Sequence, residues 1–377
     1  MKLREISVVL AAIGIVFMTP SSAVGAAQPP VPKLERTISL GHTQLIGMAG
    51  QTASTVETMS FSPDGRYLGI VESTSDDVID IVVWNVERNK EQTRIRCGRD
   101  DTDSTLDRLL WLQGGKVVTF GAGAQWDAMT GNRLADNAAM GAMARLNKDG
   151  TRMLTVSGAP GEPSTIHVYD VKTWAEQNVD AGGLHVDAAS WTSDDKVMVT
   201  VEATSRTNGT TVDGHSVEWD DTALRLLDPA GKTAAKGVWF NAIKTGNPQW
   251  PTKVAFPVDA VMVPNFATNS VFLDSGRIID GRTLAVRPYR SFYKDDVSPG
   301  GLGMALSPDG KWLYLKGAVF ADPTHPSTKN SIVDTASGLP VLPFTGGDVH
   351  AGDMAASPDG RWLAVGDEDS VFMFDMK

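Results

Sequence analysis

Six times along the chain a turn rich in Asp or Gly, closed by a basic residue, opens into an apolar strand. This repeat restricts the fold more than any other feature. The segments are "SPDGRYLGI" from Ser62, "LQGGKVVTF" from Leu112, "NKDGTRMLTV" from Asn147, "TSDDKVMVTV" from Thr192, "SPDGKWLYL" from Ser307 and "SPDGRWLAV" from Ser357. Gly reaches backbone angles that other residues reach only with strain, and Asp caps the turn with its side chain. Most are followed by a second β-rich run, another turn and one more strand, as in "IVVWNVERNKEQTRI" from Ile81, "AQWDAMTGNRL" from Ala124, "IHVYDVKTW" from Ile166 and "SIVDTASGLPVL" from Ser331.

Each unit therefore offers about four short strands, and a lone unit of that size cannot bury its faces, so neighbours must stack. Long amphipathic helical patterns are absent. At about 50 residues per unit the chain holds seven units, with six or eight also possible. Residues 241–292 form the weakest one, because its first turn is not of the Asp-Gly type and Pro257 and Pro264 interrupt it. A 42% hydrophobic composition supplies enough apolar material for the cores between units.

The first residues read differently. Lys2 and Arg4 precede a continuous apolar run, Ile6 to Met18, and the small residues up to Ala27 offer a cleavage site near Ala26. Residues 1–27 are thus expected to be a secretory signal peptide, and 28–377 a single domain. No other stretch is apolar and long enough to suggest a membrane span. Cys97 is the only cysteine, so no intramolecular disulfide can form and the exported fold must hold by packing. Export without a disulfide suits a bacterial periplasm or a secreted bacterial protein. A formal charge of −11 argues against nucleic acid or anionic lipid as the main partner.

The units resemble WD-repeat propellers and, more loosely, other bacterial propeller repeats that carry "SPDG". "MAASPDGRWLAVGDEDSVFMFD" at the C-terminus is the nearest match, followed by "MSFSPDGRYLGI" with "IVVWNV". The Trp-Asp dipeptide survives only as Trp126-Asp127 and Trp219-Asp220. The resemblance implies an all-β, seven-bladed propeller of four-stranded antiparallel blades. The last unit has only three strands after its opening loop. "KLERTISLGH", Lys33 to His42, looks like the missing outer strand, which would close the ring, remove an open edge and leave a monomer.

In the strand order the resemblance implies, the "SPDG" turns and the "DVKTW" or "DTASG" turns share one face. The other receives the long insertions Gly41–Val56, Glu202–Thr222, Gly317–Asn330 and Asn241–Pro251, and long connections on a rigid scaffold are where function usually sits. The acidic segments Glu72–Asp80, Gly98–Asp107, Asp213–Thr222, Lys294–Asp296 and Gly366–Asp369 fall there too. Such a field steers a cationic partner inward. Trp219 and Trp250 add aromatic anchors among carboxylates. The expected function is a platform for a cationic protein or peptide, with Asp76, Asp77, Asp101, Asp103, Trp219, Asp220, Asp221, Trp250, Asp367, Glu368 and Asp369 as contact residues.

An enzyme remains the alternative. The chain has no G-x-S-x-G elbow, no H-E-x-x-H and no phosphate-cradling glycine loop. His42, His185, His215, His325 and His350 map to the long-loop face and only His167 to a strand, but no pair has tight ligand spacing. "DDTDSTLD" lacks the central Gly of a calcium loop. No catalytic, metal or cofactor residue is assigned. A lactonase-like, metal-assisted hydrolase would draw its site from several blades around the central channel, where spacing gives no clue.

Overall fold

The computed structural model describes residues 28–40, 55–73, 79–97, 109–120, 124–136, 142–159, 161–212, 214–218, 221–231, 236–239, 262–273, 276–288, 303–316, 329–345, 353–367 and 370–377. The leader expected over residues 1–27 lies outside these. All regular structure in the described residues is β-strand, and no helix among them is long and apolar enough to cross a membrane.

Among the described residues, seven four-stranded antiparallel sheets follow one another in sequence order. The first comprises Thr55–Phe61, Tyr67–Ser73, Ile79–Asn85 and Lys90–Cys97; the second, Leu110–Leu112, Val117–Phe120, Ala124–Asp127 and Arg133–Asp136. The third comprises Ala142–Leu146, Arg152–Ser157, Thr165–Asp170 and Glu176–Asp180; the fourth, His185–Trp191, Val197–Glu202, Thr222–Leu227 and Lys236–Trp239. The fifth comprises Met262–Asn265, Ser270–Leu273, Arg277–Asp280 and Val286–Pro288; the sixth, Met304–Leu306, Trp312–Leu315, Lys329–Asp334 and Leu339–Thr345. In the seventh, Met354–Ala356, Trp362–Gly366 and Ser370–Asp375 are joined by Lys33–Ser39, which pairs with the last of them. Thr37 stands opposite Phe372 and Ile38 opposite Val371.

Within each sheet the strands are ordered as in the chain, the N-terminal strand excepted. The first strands of consecutive sheets neighbour one another, and that of the seventh neighbours that of the first. The sheets thus stand in a ring, and the molecule is a β-propeller.

Apolar rows between sheets hold the ring. Leu154, Val156, Ile166, Val168 and Val179 of the third sheet pack with Val186, Trp191, Val199 and Val201 of the fourth. Two tryptophans also tie first strands together. Trp111 donates its indole N–H to Ser60 O at 2.9 Å, and Trp191 donates to Arg145 O at 3.0 Å. Each satisfies a polar edge inside an apolar seam. Trp84, Trp312 and Trp362 all pack within apolar clusters, as strand positions of that size demand. Cys97 is buried at the end of its strand and forms no disulfide.

Because strands alternate in direction, each sheet's connections divide between two ends. At the turn end, three turns are chemically identical. Ser62, Ser307 and Ser357 each donate Oγ–H to the Asp two residues on, at 2.6 Å. The same oxygens accept the amides of Tyr67, Trp312 and Trp362 at 2.8–3.0 Å. Gly65, Gly310 and Gly360 stand at φ 69–70°, which explains the glycine.

The second turn of several sheets uses a different circuit, Asp-x-x-Thr/Ser. Asp127, Asp170, Asp280 and Asp334 accept the amide and hydroxyl of the residue three on, at 2.6–3.0 Å. For Asp127 and Asp170 these bonds hold the carboxyl below its ordinary pKa. In Asp64, Asp309 and Asp359 burial pushes the other way, and the bonds from Ser and backbone prevail.

Candidate functional site

The opposite end carries the long connections, and Glu202–Thr222 shows how one of them folds. Thr204 and Thr207 close its first turn through Thr204 N–H to Thr207 Oγ1 at 2.8 Å. A small hairpin, Thr211–Val212 with His215–Ser216, follows, and Val217 is fully buried beneath it. Thr204 Oγ–H reaches back to Gly183 O at 3.2 Å, and Arg206 pairs with Glu162 at 3.0 Å. The insertion thereby leans over both the third and fourth sheets as a packed cap. Glycine is required under it: Gly182 has φ +79, and a Cβ there would stand 2.8 Å from Arg225 Nη1.

Asp221 anchors this cap. It is only 3% exposed, and its Oδ2 accepts His215 Nε2–H at 3.0 Å and the Glu218 amide at 2.8 Å. His215 in turn stacks on Trp239 with centroids 4.5 Å apart. The sequence assigned Asp221 to an exposed acidic surface; the structure spends its carboxylate inside the loop, because a buried acid must be hydrogen-bonded to persist. Asp367 is half-buried, with its amide donating to Ser370 O at 2.9 Å. Asp76, Asp77, Asp101, Asp103, Trp219, Asp220, Trp250, Glu368 and Asp369 lie outside the described residues.

The acidic run Glu72–Asp80 also divides. Its two ends face each other across neighbouring strands and are fully buried. Arg94 clasps both, at 3.1 Å to Glu72 and 3.3 Å to Asp80, and gives its other nitrogen to Leu40 O at 3.1 Å. Burial opposes the Arg94 charge, but the bonds it donates to Glu91, Glu72 and Asp80 outweigh it and raise its pKa. This trio is internal and links the segment leaving Lys33–Ser39 to the first sheet.

Sequence spacing missed one polar array. In the third sheet Ser157 Oγ lies 2.7 Å from His167 Nε2, and His167 Nδ1 lies 2.7 Å from Glu176 Oε1. The three residues come from the second, third and fourth strands and are brought together by register. Alternation carried the signal. Leu154, Val156, Ile166, Val168 and Val179 fill the face toward the fourth sheet, so Ser157, His167 and Glu176 share the other face. His185, the next histidine, has Nδ1 3.1 Å from Glu162 O and 3.2 Å from Ser164 Oγ, with its Nε2 3.8 Å from Asp187 Oδ1. Among the described residues no three His, Cys, Asp or Glu side chains stand together as metal ligands.

No known protein-family model matches the chain, and no curated protein matches it.

Proposed function

We propose that the chain is an exported bacterial, WD-like propeller of seven blades, closed by its N-terminal strand, that serves as a platform for a cationic protein or peptide. Seven four-stranded sheets and the pairing of Lys33–Ser39 with Ser370–Asp375 support the blade count and the closure. The basic and apolar character of residues 2–18 supports export.

One observation carries the platform reading: the asymmetry of the two ends. Short, self-capped turns occupy one end. The strand ends joined by the acidic segments, at Ser73 and Ile79 and at Cys97 and Leu110, lie at the other. There the described part of Glu202–Thr222 packs as a cap, and we read it as a surface formed before a partner arrives. A prearranged surface loses less conformational entropy on binding, and its charge favours cations and speeds their encounter.

A basic amphipathic peptide of Lys and Leu, compared with a Glu and Leu peptide of equal length, tests this. The basic peptide is expected to bind, more weakly as salt rises. It is expected to protect amides of the connection end from exchange. Replacing Asp76, Asp77, Asp101, Asp103 and Asp220 together by Asn, with Asp221 left in place, is expected to weaken binding by about tenfold or more. Unchanged affinity, or protection confined to the turn end, refutes the reading.

A further inference from the structure

We infer that Ser157, His167 and Glu176 form a nucleophile site for acyl transfer from carboxylic esters, separate from any platform role. The inference rests on geometry. A serine hydroxyl and an imidazole nitrogen at 2.7 Å, with the second nitrogen 2.7 Å from a carboxylate, is the arrangement of a nucleophile, a general base and the group that orients the base. The carboxylate can only accept, so Glu176 holds the proton of the neutral ring on Nδ1. Nε2 is then left as the acceptor of the Ser157 proton.

The sheet itself does not call for these groups. The site of His167, three residues before the Asp that caps the next turn, is taken by Val82 before Asn85, by Ala124 before Asp127, and by Arg277 before Asp280. Aliphatic and basic residues satisfy the same ladder, so the hydrogen-bonded trio is an addition to it.

Access is retained. The His167 side chain is 16% exposed and that of Glu176 37%, and Ser157 is half-buried at the connection end of its strand. Immediately after Ser157 the backbone turns through Gly158 at φ +142, where a Cβ would come within 3.0 Å of Ser164 Cα. The nucleophile therefore sits at the lip of a tight glycine turn rather than within a continuous strand.

The reaction follows from the arrangement. Ser157 Oγ bonds to the ester carbonyl carbon as its proton passes to His167 Nε2. Collapse of the tetrahedral species breaks the C–O bond, and the leaving alkoxide takes that proton from Nε2. Water then attacks the acyl-serine, gives its proton to His167, and releases the carboxylic acid as Ser157 recovers its hydrogen. Glu176 stays ionised throughout and stabilises the transient imidazolium.

A fluorophosphonate probe on the full-length protein, followed by peptide mass mapping, tests the site without any substitution. The adduct is expected on Ser157. S157A is expected to lose it, and H167Q to slow labelling by about 100-fold, the scale of a lost general base. E176Q is expected to label at a rate between that of H167Q and that of the unaltered chain. Hydrolysis of p-nitrophenyl acetate should track labelling across the same variants, and their melting temperatures report whether each still folds. No adduct on Ser157 of the unaltered chain, or an adduct elsewhere that survives S157A, overturns the assignment.

Discussion

The two ends of the sheets are built on different principles. At the turn end the connections are closed within five or six residues, as Ser62, Asp64 and Gly65 close one and the same chemistry recurs at Ser307 and Ser357, and bonds such as Asn147–Asp195 and Arg282–Asp194 then join turns of neighbouring sheets. At the connection end it is distant partners that hold the long segments themselves. Thr204 binds Gly183 O, Arg94 binds Leu40 O, and Thr58 donates to Asp353 at 2.9 Å over a separation of 295 residues. A scaffold made this way keeps one end fixed by local sequence and frees the other for insertions of varied length. That is the division expected of a protein whose work is done on one face.

The sharpest way to break this comparison is at Asp221. If the connection end depends on buried polar anchors, Asp221→Ala should destabilise the fold by about 3 kcal/mol, since it strands the Glu218 amide and His215 in a dry setting. Chemical denaturation measures this, and a loss within experimental scatter of zero would show the cap to be an ornament. Next in size is Gly182→Ala, where positive φ and the Arg225 guanidinium oppose a side chain at once. A cost of about 2 kcal/mol is expected.

At the turn end the effects should be smaller and interchangeable. Ser62→Ala, Ser307→Ala and Ser357→Ala should each cost about 1 kcal/mol, and the triple variant about their sum, because each serine bonds only within its own turn. Unequal or strongly non-additive costs would mean that the turns communicate through the sheets. The smallest effect is in pH. The capped carboxyls of Asp64, Asp127, Asp309 and Asp359 are depressed in the folded state. Their contribution is therefore complete above the ordinary carboxylate range and is lost as pH falls through the folded values. Acid titration of stability should show a shallower loss in Asp309→Asn than in the unaltered chain.

The same division decides what the sequence made legible. The strand pattern, the turn chemistry and the place of Lys33–Ser39 beside the last strand all follow from local rules, namely alternation, glycine at positive φ, and an unfilled fourth position. Asp221, Glu72 and Asp80 read as surface charge because composition cannot reveal a partner. Their burial depends on His215, on the Glu218 amide and on Arg94, and only the tertiary fold supplies those contacts. Ser157, His167 and Glu176 were invisible for a related reason. Their spacings of ten and nine residues match no motif, and they meet only once three strands are paired in register.

The proposed closure of the ring by Lys33–Ser39 is the premise on which the reading of both ends depends. Thermal unfolding of a chain lacking residues 28–40 tests it most directly. Loss of Lys33–Ser39 removes Ile38 from the core and should lower a single cooperative transition by about 10 °C or more. A truncated chain that melts at the same temperature as its parent would contradict it.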